Sequence, residues 1–349
     1  MRYKFFIISI LLFFGISAYL LSKKTTLIEP IRAFYFWENT RKDLTKFEKE
    51  TIKDLKVKKI YLKFFEIEKD RLIGIIPTAK SELHMNLKNS DVEVIPTIYV
   101  RNEVFKNVSK IELQKLAKNL NKLVVKRFKK NIKSGGNLFN EIQIDCDWTE
   151  STHENYFQFL NYLKELTEKQ ISATLRLYAY KFPNKMGVLP VDRAMLMCYN
   201  LIQPMEAGNR NSILDINELK KYLVGAKKYP LPLDVALPIY SSIQLYTQNK
   251  MSGIFYDENR AFVKSLKRIN GLWYTLQKDT TIHNMYLRKG DKLKYELITK
   301  NEIQNAIKII QSNVSLTGKT TIAFYHLSET EIKNYSYEEL DNCYSLFIH

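Results

Sequence analysis

A single (β/α)8 barrel, the TIM-barrel class of α/β fold, is the architecture that this sequence predicts. Eight short apolar runs of strand length are separated by longer segments whose apolar residues recur at helical spacing. The length of 349 residues fits one barrel of about 250 residues with insertions as well as it fits two small domains, so length alone does not choose. No glycine-rich phosphate loop follows the first run, which disfavours the alternative of an open, doubly wound, nucleotide-binding sheet.

The predicted strands and helices alternate along most of the chain. Strands are expected at 31–37, 59–65, 93–99, 141–147, 172–178, 194–199, 234–239 and 320–325. Helices are expected at 44–56, 109–130, 154–168, 217–228 and 300–312. In the second helix, Ser109 and Glu112 form a predicted capping box.

One stretch, residues 241–297, interrupts this alternation. It contains strand-like pieces such as GLWYTL but no clean βα unit, so it is interpreted as an insertion after the seventh strand. An insertion at this point would lie at the carboxyl ends of the barrel strands, where it could wall a cleft. The predicted organisation is therefore one barrel domain, residues 30–349, with an insertion at about 241–297.

The first 24 residues have the pattern of a signal peptide or a membrane anchor. Arg2 and Lys4 precede an apolar run at 5–21, and Lys23 and Lys24 follow it. A small-residue cleavage site is poor there, which slightly favours an uncleaved anchor. An exported protein of the cell envelope, in contact with the membrane through this segment, is expected.

Composition narrows the range of partners. The 54 basic and 37 acidic residues give a net charge of +17, interpreted mainly as a solvated basic surface, with anionic ligand binding as the alternative. An exported location disfavours a nucleic-acid partner. Three widely spaced cysteines match neither a zinc site nor a disulfide framework, and no metal or cofactor is predicted. A monomer is expected.

The candidate site is the run IDCDWT at 144–149. Side chains alternate along a strand, so Asp145 and Asp147 are expected on one face and Cys146 on the other. Neighbouring carboxyls push each other's pKa values apart, which lets one remain protonated as a general acid. Paired acids of this kind suit glycosidic bond cleavage or cation binding. The alternative is that they cap the helix that follows.

The segment FNEIQIDCD, residues 139–147, resembles the fourth-strand pattern DxxDxDxE of the chitinase-like family 18 glycoside hydrolases. Asn140 and Gln143 stand where that family has aspartates. The resemblance implies that Asp145 orients the substrate's acetamido group. It also implies that Asp147 replaces the family's acid glutamate with a side chain shorter by one methylene.

A second element, MCYN at 197–200, is similar to the family's sixth-strand motif. The resemblance implies that Tyr199 supports the reacting acetamido group, which places it with Asp145 and Asp147 among the candidate catalytic residues. Asn200, the last residue of this element, is a candidate for substrate binding. Other residues at predicted strand ends or in the insertion are candidates for substrate binding, with core packing or a surface ion pair as the alternative for each. They are Trp37, Glu38, Lys63, Trp148, Arg176, Tyr178, Tyr240, Trp273 and His326.

Two functions follow from this pattern. The first is a glycoside hydrolase-like barrel acting on a poly- or oligosaccharide, with Asp147 as general acid and Asp145 as the neighbour that separates the two pKa values. The second is a catalytically inactive carbohydrate-binding barrel, in which Asn140 and Gln143 mark lost chemistry.

Overall fold

The computed structural model describes residues 29–88, 90–134, 139–248, 250–256, 260–282 and 285–347. Within them, eight parallel strands close into a barrel, because the first strand pairs with both the second and the last. The predicted fold class is confirmed. The barrel strands are β1 (Ile31–Phe36), β2 (Lys59–Asp70), β3 (Glu93–Val100), β4 (Glu141–Asp145), β5 (Gln170–Arg176), β6 (Arg193–Met197), β7 (Leu233–Pro238) and β8 (Thr321–Tyr325).

Helices cover most of the outside of the barrel, and their apolar faces form one core with the strands. The capping box of Ser109 and Glu112 is present as predicted, and others start at Thr45, Thr299 and Ser336. The helices are α1 (Lys46–Asp54), α2 (Lys110–Asn131), α3 (His153–Glu165), α4 (Leu177–Lys181), α5 (Pro183–Met186), α6 (Ile216–Leu223), α7 (Arg260–Lys264), α8 (Lys300–Asn313), α9 (Glu329–Ile332) and α10 (Tyr337–Ser345). Short 3-10 turns lie at Asn102–Phe105 and Pro204–Glu206.

The second unit of the barrel departs from the βα pattern. β2 continues beyond the barrel and forms an antiparallel hairpin with the strand Gly74–Thr78. In the described residues between that hairpin and β3 there is no helix, only extended chain with the short strand Met85–Asn86, which pairs with Ile132–Lys133. This part of the barrel is therefore flanked by extended chain in place of a helix.

The insertion predicted after the seventh strand is an antiparallel sheet with its own apolar core. That core includes Ile243, Leu245 and Leu293, all almost fully buried. The sheet order is Lys250–Tyr256, Ser242–Thr247, Lys292–Glu296, Trp273–Thr275 and Lys267–Asn270, and a separate hairpin pairs Thr280–Ile282 with Met285–Leu287.

A buried ion pair joins this sheet to the loop that follows β6. Lys294 and Glu296 are fully buried and 2.6 Å apart. Glu296 accepts a hydrogen bond from the Ser212 amide at 2.9 Å, and Lys294 donates to the Arg210 carbonyl at 2.6 Å. Lys294 and Glu296 thus join the insertion to the β6 loop, and each neutralises the buried charge of the other.

Replacing Glu296 with glutamine is expected to lower the free energy of unfolding by about 2–3 kcal/mol, because it leaves the Lys294 ammonium buried without its counter-charge. Chemical denaturation would measure the loss. The double replacement Lys294→Met with Glu296→Gln is the control and should cost less than Glu296→Gln alone. A double variant less stable than the single one would contradict this account of the pair.

The apolar run at 5–21, predicted as a signal or anchor, lies outside the described residues. Among the residues that are described, no helix is both long enough and apolar enough to cross a bilayer.

Candidate functional site

A cleft of about 380 Å³ opens at the carboxyl ends of the barrel strands. Parallel strands bring their ends to one rim, so side chains distant in the sequence converge there. Of the predicted site residues, Trp37, Asp145, Asp147, Arg176, Tyr199 and Asn200 line this cleft. Glu66, Tyr99, Arg101, Met197 and Tyr325 line it as well.

Asp145 lies at the floor of the cleft as the last residue of β4. Its Oδ1 accepts a hydrogen bond from the Thr174 hydroxyl at 2.7 Å. Burial, and then the nearby charge of Asp147, raise its pKa from 3.8 to about 7, against the lowering effect of that hydrogen bond. Asp145 therefore exchanges a proton near neutral pH.

Asp147 lies closer to solvent, with half of its side chain exposed. Its Oδ1 accepts a hydrogen bond from Nη1 of Arg176 at 2.8 Å, and Nη2 of Arg176 is 3.4 Å from the Asn200 carbonyl oxygen. The prediction that the fourth strand extends through Asp147 is wrong, since β4 ends at Asp145. Both acids nevertheless line the same cleft.

The acids do not cap the helix that follows, which was the alternative role for them. The N-cap residue of α3 is Thr152, whose hydroxyl donates to the Asn102 side chain at 2.6 Å and accepts from the Thr149 amide. Neither Asp145 nor Asp147 is hydrogen-bonded to the amides at the start of α3 in the described structure.

Tyrosine and tryptophan rings form one wall of the cleft. Tyr325 packs against Tyr199 with 5.2 Å between ring centroids, and against Trp37 at 6.0 Å. The Tyr199 hydroxyl is buried and has no hydrogen-bond partner among the described residues. Buried hydroxyls usually have one, so this group is suited to receive a ligand.

A β-bulge explains why the strand pattern of the sequence did not predict Glu66 as a cleft residue. β2 pairs Lys63 with Thr97 but Phe65 with Ile98, so one extra residue is inserted and the alternation of faces shifts. Lys63 and Glu66 then form an ion pair on the inner face. Lys63 is buried, and its ammonium lies 5.4 Å from the centre of the Trp37 ring. Lys63 supports the cleft wall from behind.

Asn140 and Gln143, the two amides at positions where the family 18 pattern has aspartates, do not line the cleft. Gln143 is fully buried one pleat below Asp145, and its Oε1 accepts from the Tyr35 hydroxyl at 2.7 Å. Asn140 donates to Glu93 at 3.0 Å at the opposite end of β4. Beneath Asp145 the neutral side chains of Gln143, Tyr35 and Ser172 are hydrogen-bonded, and Ser172 links them to the buried carboxylate of Glu141.

Several candidates are not brought into the cleft. Trp148 is buried and donates to the Met186 carbonyl at 3.1 Å, so it packs in the core. The prediction that the fifth strand reaches Tyr178 is wrong, since β5 ends at Arg176. Tyr178 lies in helix α4 instead, and its ring packs against that of Phe182. Trp273 is in the insertion sheet, where its Nε1 donates to Asn209 at 2.9 Å.

The remaining candidates surround the cleft without lining it. Tyr240 donates its hydroxyl hydrogen to Oδ1 of Asn200 at 2.5 Å and so supports a lining residue. His326 is buried beside Tyr325, and Glu38 forms an ion pair with Arg41 at 3.2 Å. Among the described residues, no group of three or more His, Cys, Asp or Glu side chains could hold a metal ion.

The raised pKa of Asp145 makes stability depend on pH. Between about pH 4 and pH 7 the folded carboxyl keeps a proton that the unfolded chain has lost, so stability falls as pH rises through this window. We expect Asp145→Asn to raise the free energy of unfolding at pH 8 by roughly 1–3 kcal/mol, with solvent at the cleft reducing the full effect of the shift. At pH 4 the difference should be small.

Urea denaturation of both proteins at pH 4 and pH 8 measures this effect. Asp54→Asn, at the exposed end of α1, is the control and should change little at either pH. Equal stability of wild type and Asp145→Asn at both pH values would contradict a raised pKa at this site.

Comparison with solved structures relates this architecture to known proteins. The chain is similar to the spore cortex-lytic enzyme SleL of Bacillus megaterium QM B1551, with a TM-score of 0.54 and 15% identity over 91% of this chain and 75% of that one. SleL of Bacillus cereus gives a TM-score of 0.51 at 15% identity over 89% and 75% of the two chains. The Group IV chitinase of Ostrinia furnacalis gives 0.50 at 11% identity over 90% and 98%.

These likenesses concern the fold. They confirm that the chain is a TIM-barrel protein with a distant structural resemblance to chitinase-like glycoside hydrolases. No protein-family model matches the chain. No curated protein matches it either.

Proposed function

We propose that this protein is a glycoside hydrolase-like enzyme that acts on a poly- or oligosaccharide in the cleft at the carboxyl ends of its barrel strands. One observation carries the proposal. Asp145, whose pKa is raised to about 7, lies in the same cleft as a second, more accessible carboxyl, Asp147. Glycosidic bond cleavage needs two carboxyl groups in different protonation states, and this environment separates them.

In this proposal the two acids have different tasks. Asp147 is the more exposed carboxyl and meets the glycosidic oxygen, while Asp145 beneath it holds a proton at neutral pH. Arg176 engages Asp147 in the free protein, so Asp147 reaches the glycosidic oxygen only when the guanidinium turns to the substrate. The proton that Asp147 then passes to the leaving oxygen comes from Asp145 beneath it, which is left ionised. Tyr199, whose hydroxyl has no hydrogen-bond partner in the described part of the chain, contacts the reacting sugar.

Binding of sugar rings is supported by the aromatic wall. Trp37, Tyr199 and Tyr325 present ring surface next to hydrogen-bonding groups of Asn200 and Arg176. Apolar sugar faces suit such rings, and the polar groups fix orientation. Export to the cell envelope belongs to the same proposal and rests on the pattern of residues 1–24.

A second candidate function is a barrel that binds glycans without cutting them. The ion pair between Arg176 and Asp147 favours it, because a guanidinium pairs with an ionised carboxylate, which has no proton to donate. The amide of Gln143, bonded to Tyr35 under Asp145 where the family pattern has an aspartate, is in keeping with lost chemistry. The two candidates share the cleft and differ only in turnover.

Incubation of the purified protein with a panel of neutral, N-acetylated and anionic polysaccharides would test both candidates. Reducing ends released by wild type but not by the double variant Asp145→Asn/Asp147→Asn are the expected result. Glycan binding without release would favour the second candidate. Equal release by wild type and double variant would refute the assignment of this cleft, and neither binding nor release would refute both functions.

A further inference from the structure

A second, larger cavity lies on the flank of the barrel. It is a groove of about 810 Å³ between α1 and the chain segment that leads to β3. It forms where the second βα unit has extended chain in place of a helix. Its lining residues are different from those of the cleft. Its volume is within the range of small-molecule sites.

The floor of the groove is apolar. Leu44, Ile60 and Met85 are buried there, and Ile52 and Leu87 are half-buried beside them. No polar ligand would gain by contact with this floor, whereas an alkyl chain would remove apolar surface from water at about 25 cal/mol per Å².

The rim of the groove is cationic. Lys49 and Lys53 stand four residues apart on α1, and Lys56 and Lys58 follow the helix. Lys58 forms an ion pair with Asp91 at 3.4 Å. In the described part of the chain the other three lysines have no carboxylate within ion-pair distance. The positive charges of these three lysines exceed the single negative charge of Asp43, the other acidic residue that lines the groove besides Asp91.

The backbone conformation at Lys56 also supports a cationic rim on this groove. Lys56 has φ of +53°, the left-handed conformation that favours glycine where a helix ends. The Val57 amide donates to the Ile52 carbonyl at 2.9 Å and so fixes this turn. A lysine in place of glycine costs conformational energy, and what it adds is a cation on the rim of the groove.

We propose that this groove binds an anionic lipid, with the alkyl chain on the apolar floor and a phosphate or carboxylate headgroup at Lys49, Lys53 and Lys56. Charge complementarity selects this occupant. The apolar run at 5–21 is flanked by Arg2, Lys4, Lys23 and Lys24, so the rim would repel those flanks. The site is separate from the cleft and does not depend on the proposed function.

Calorimetric titration of the purified protein with dodecyl phosphate, below its critical micelle concentration, tests the proposal. Saturable binding at one site is expected. Lys49→Glu/Lys53→Glu should weaken it by about tenfold or more. The matched control Lys122→Glu/Lys126→Glu reverses two exposed lysines with the same spacing on α2 and should leave it unchanged. Lys56→Gly should weaken binding without lowering the melting temperature.

Several outcomes would overturn the proposal. Equal binding of dodecyl maltoside or dodecyltrimethylammonium would show that the lysines do not select charge. Equal binding of inorganic phosphate would show that the apolar floor contributes nothing. Tighter binding of an acidic amphipathic helical peptide, competing with dodecyl phosphate, would assign the groove to a protein partner instead.

Discussion

Replacement of Asp147 by asparagine is expected to lower glycan turnover by about a hundredfold to ten-thousandfold, the usual contribution of a positioned general acid. The asparagine keeps the size of the side chain and can still accept a hydrogen bond from Arg176, but it cannot donate an acidic proton. Glycan affinity should change far less than turnover, because the aromatic wall is untouched. Reducing-end release together with direct binding measurements separates the two effects.

The pH dependence of kcat/KM gives an independent test of the role of Asp145. Its pKa is raised to about 7, so it is protonated below that pH and ionised above it. If the protonated form is required, kcat/KM holds below pH 7 and falls as pH rises through 7. Asp145→Asn should remove that limb and also lower turnover, while it stabilises the fold at pH 8. Loss of activity with a gain of stability is not what a misfolded variant would give.

Asp54→Asn is the matched control for both aspartates and should retain wild-type turnover and pH dependence. Full activity of Asp147→Asn would exclude it as the acid. An unchanged alkaline limb in Asp145→Asn would assign the ionisation near pH 7 to another group.

Replacement of Arg193 by methionine is expected to lower the free energy of unfolding by about 3–5 kcal/mol, the largest stability effect that we predict. Arg193 forms a two-point ion pair with Asp234, from Nε at 2.6 Å and from Nη2 at 2.7 Å. The Asp234 side chain is almost fully buried, and burial raises its pKa even with the arginine present. Without Arg193 the carboxylate would remain buried with the Thr321 amide as its donor.

The loss should increase with pH, because at low pH Asp234 can take up a proton and become neutral. Arg193→Met combined with Asp234→Asn should recover much of the stability, since the amide can still accept from Thr321. As a surface comparison, Lys164→Met breaks an ion pair with Asp192 that is partly exposed and should cost less than about 1 kcal/mol. Equal losses for Arg193→Met and Lys164→Met would contradict the role assigned to burial.

The barrel could be predicted from the sequence because its signals are local. Apolar runs of strand length and helical spacing between them follow from which faces are buried. The predicted end of the fifth strand was wrong, because the apolar residues of LRLYAY alternate as in a strand although Leu177–Lys181 forms a helical turn. The insertion was predicted from the absence of that alternation, but its pairing order was not, since antiparallel neighbours need not be adjacent in sequence.

Part of the cleft could be predicted for the same reason. Asp145, Asp147 and Tyr199 occur at strand ends whose order along the chain fixes their position on one rim. Glu66 and Arg101 could not be found in this way. A bulge in β2 shifted the alternation at Glu66, and Arg101 lies just beyond the end of its strand.

The sequence by itself determined the barrel, the insertion after its seventh strand, and a pair of acids at the end of its fourth, because alternation and strand order are written in neighbouring residues. Only the tertiary structure decided which acid has the raised pKa. Burial and the nearby charge of Asp147 raise the pKa of Asp145, and Arg176 from the next strand engages Asp147. Burial and charge contacts depend on distances across the barrel, which no local pattern encodes.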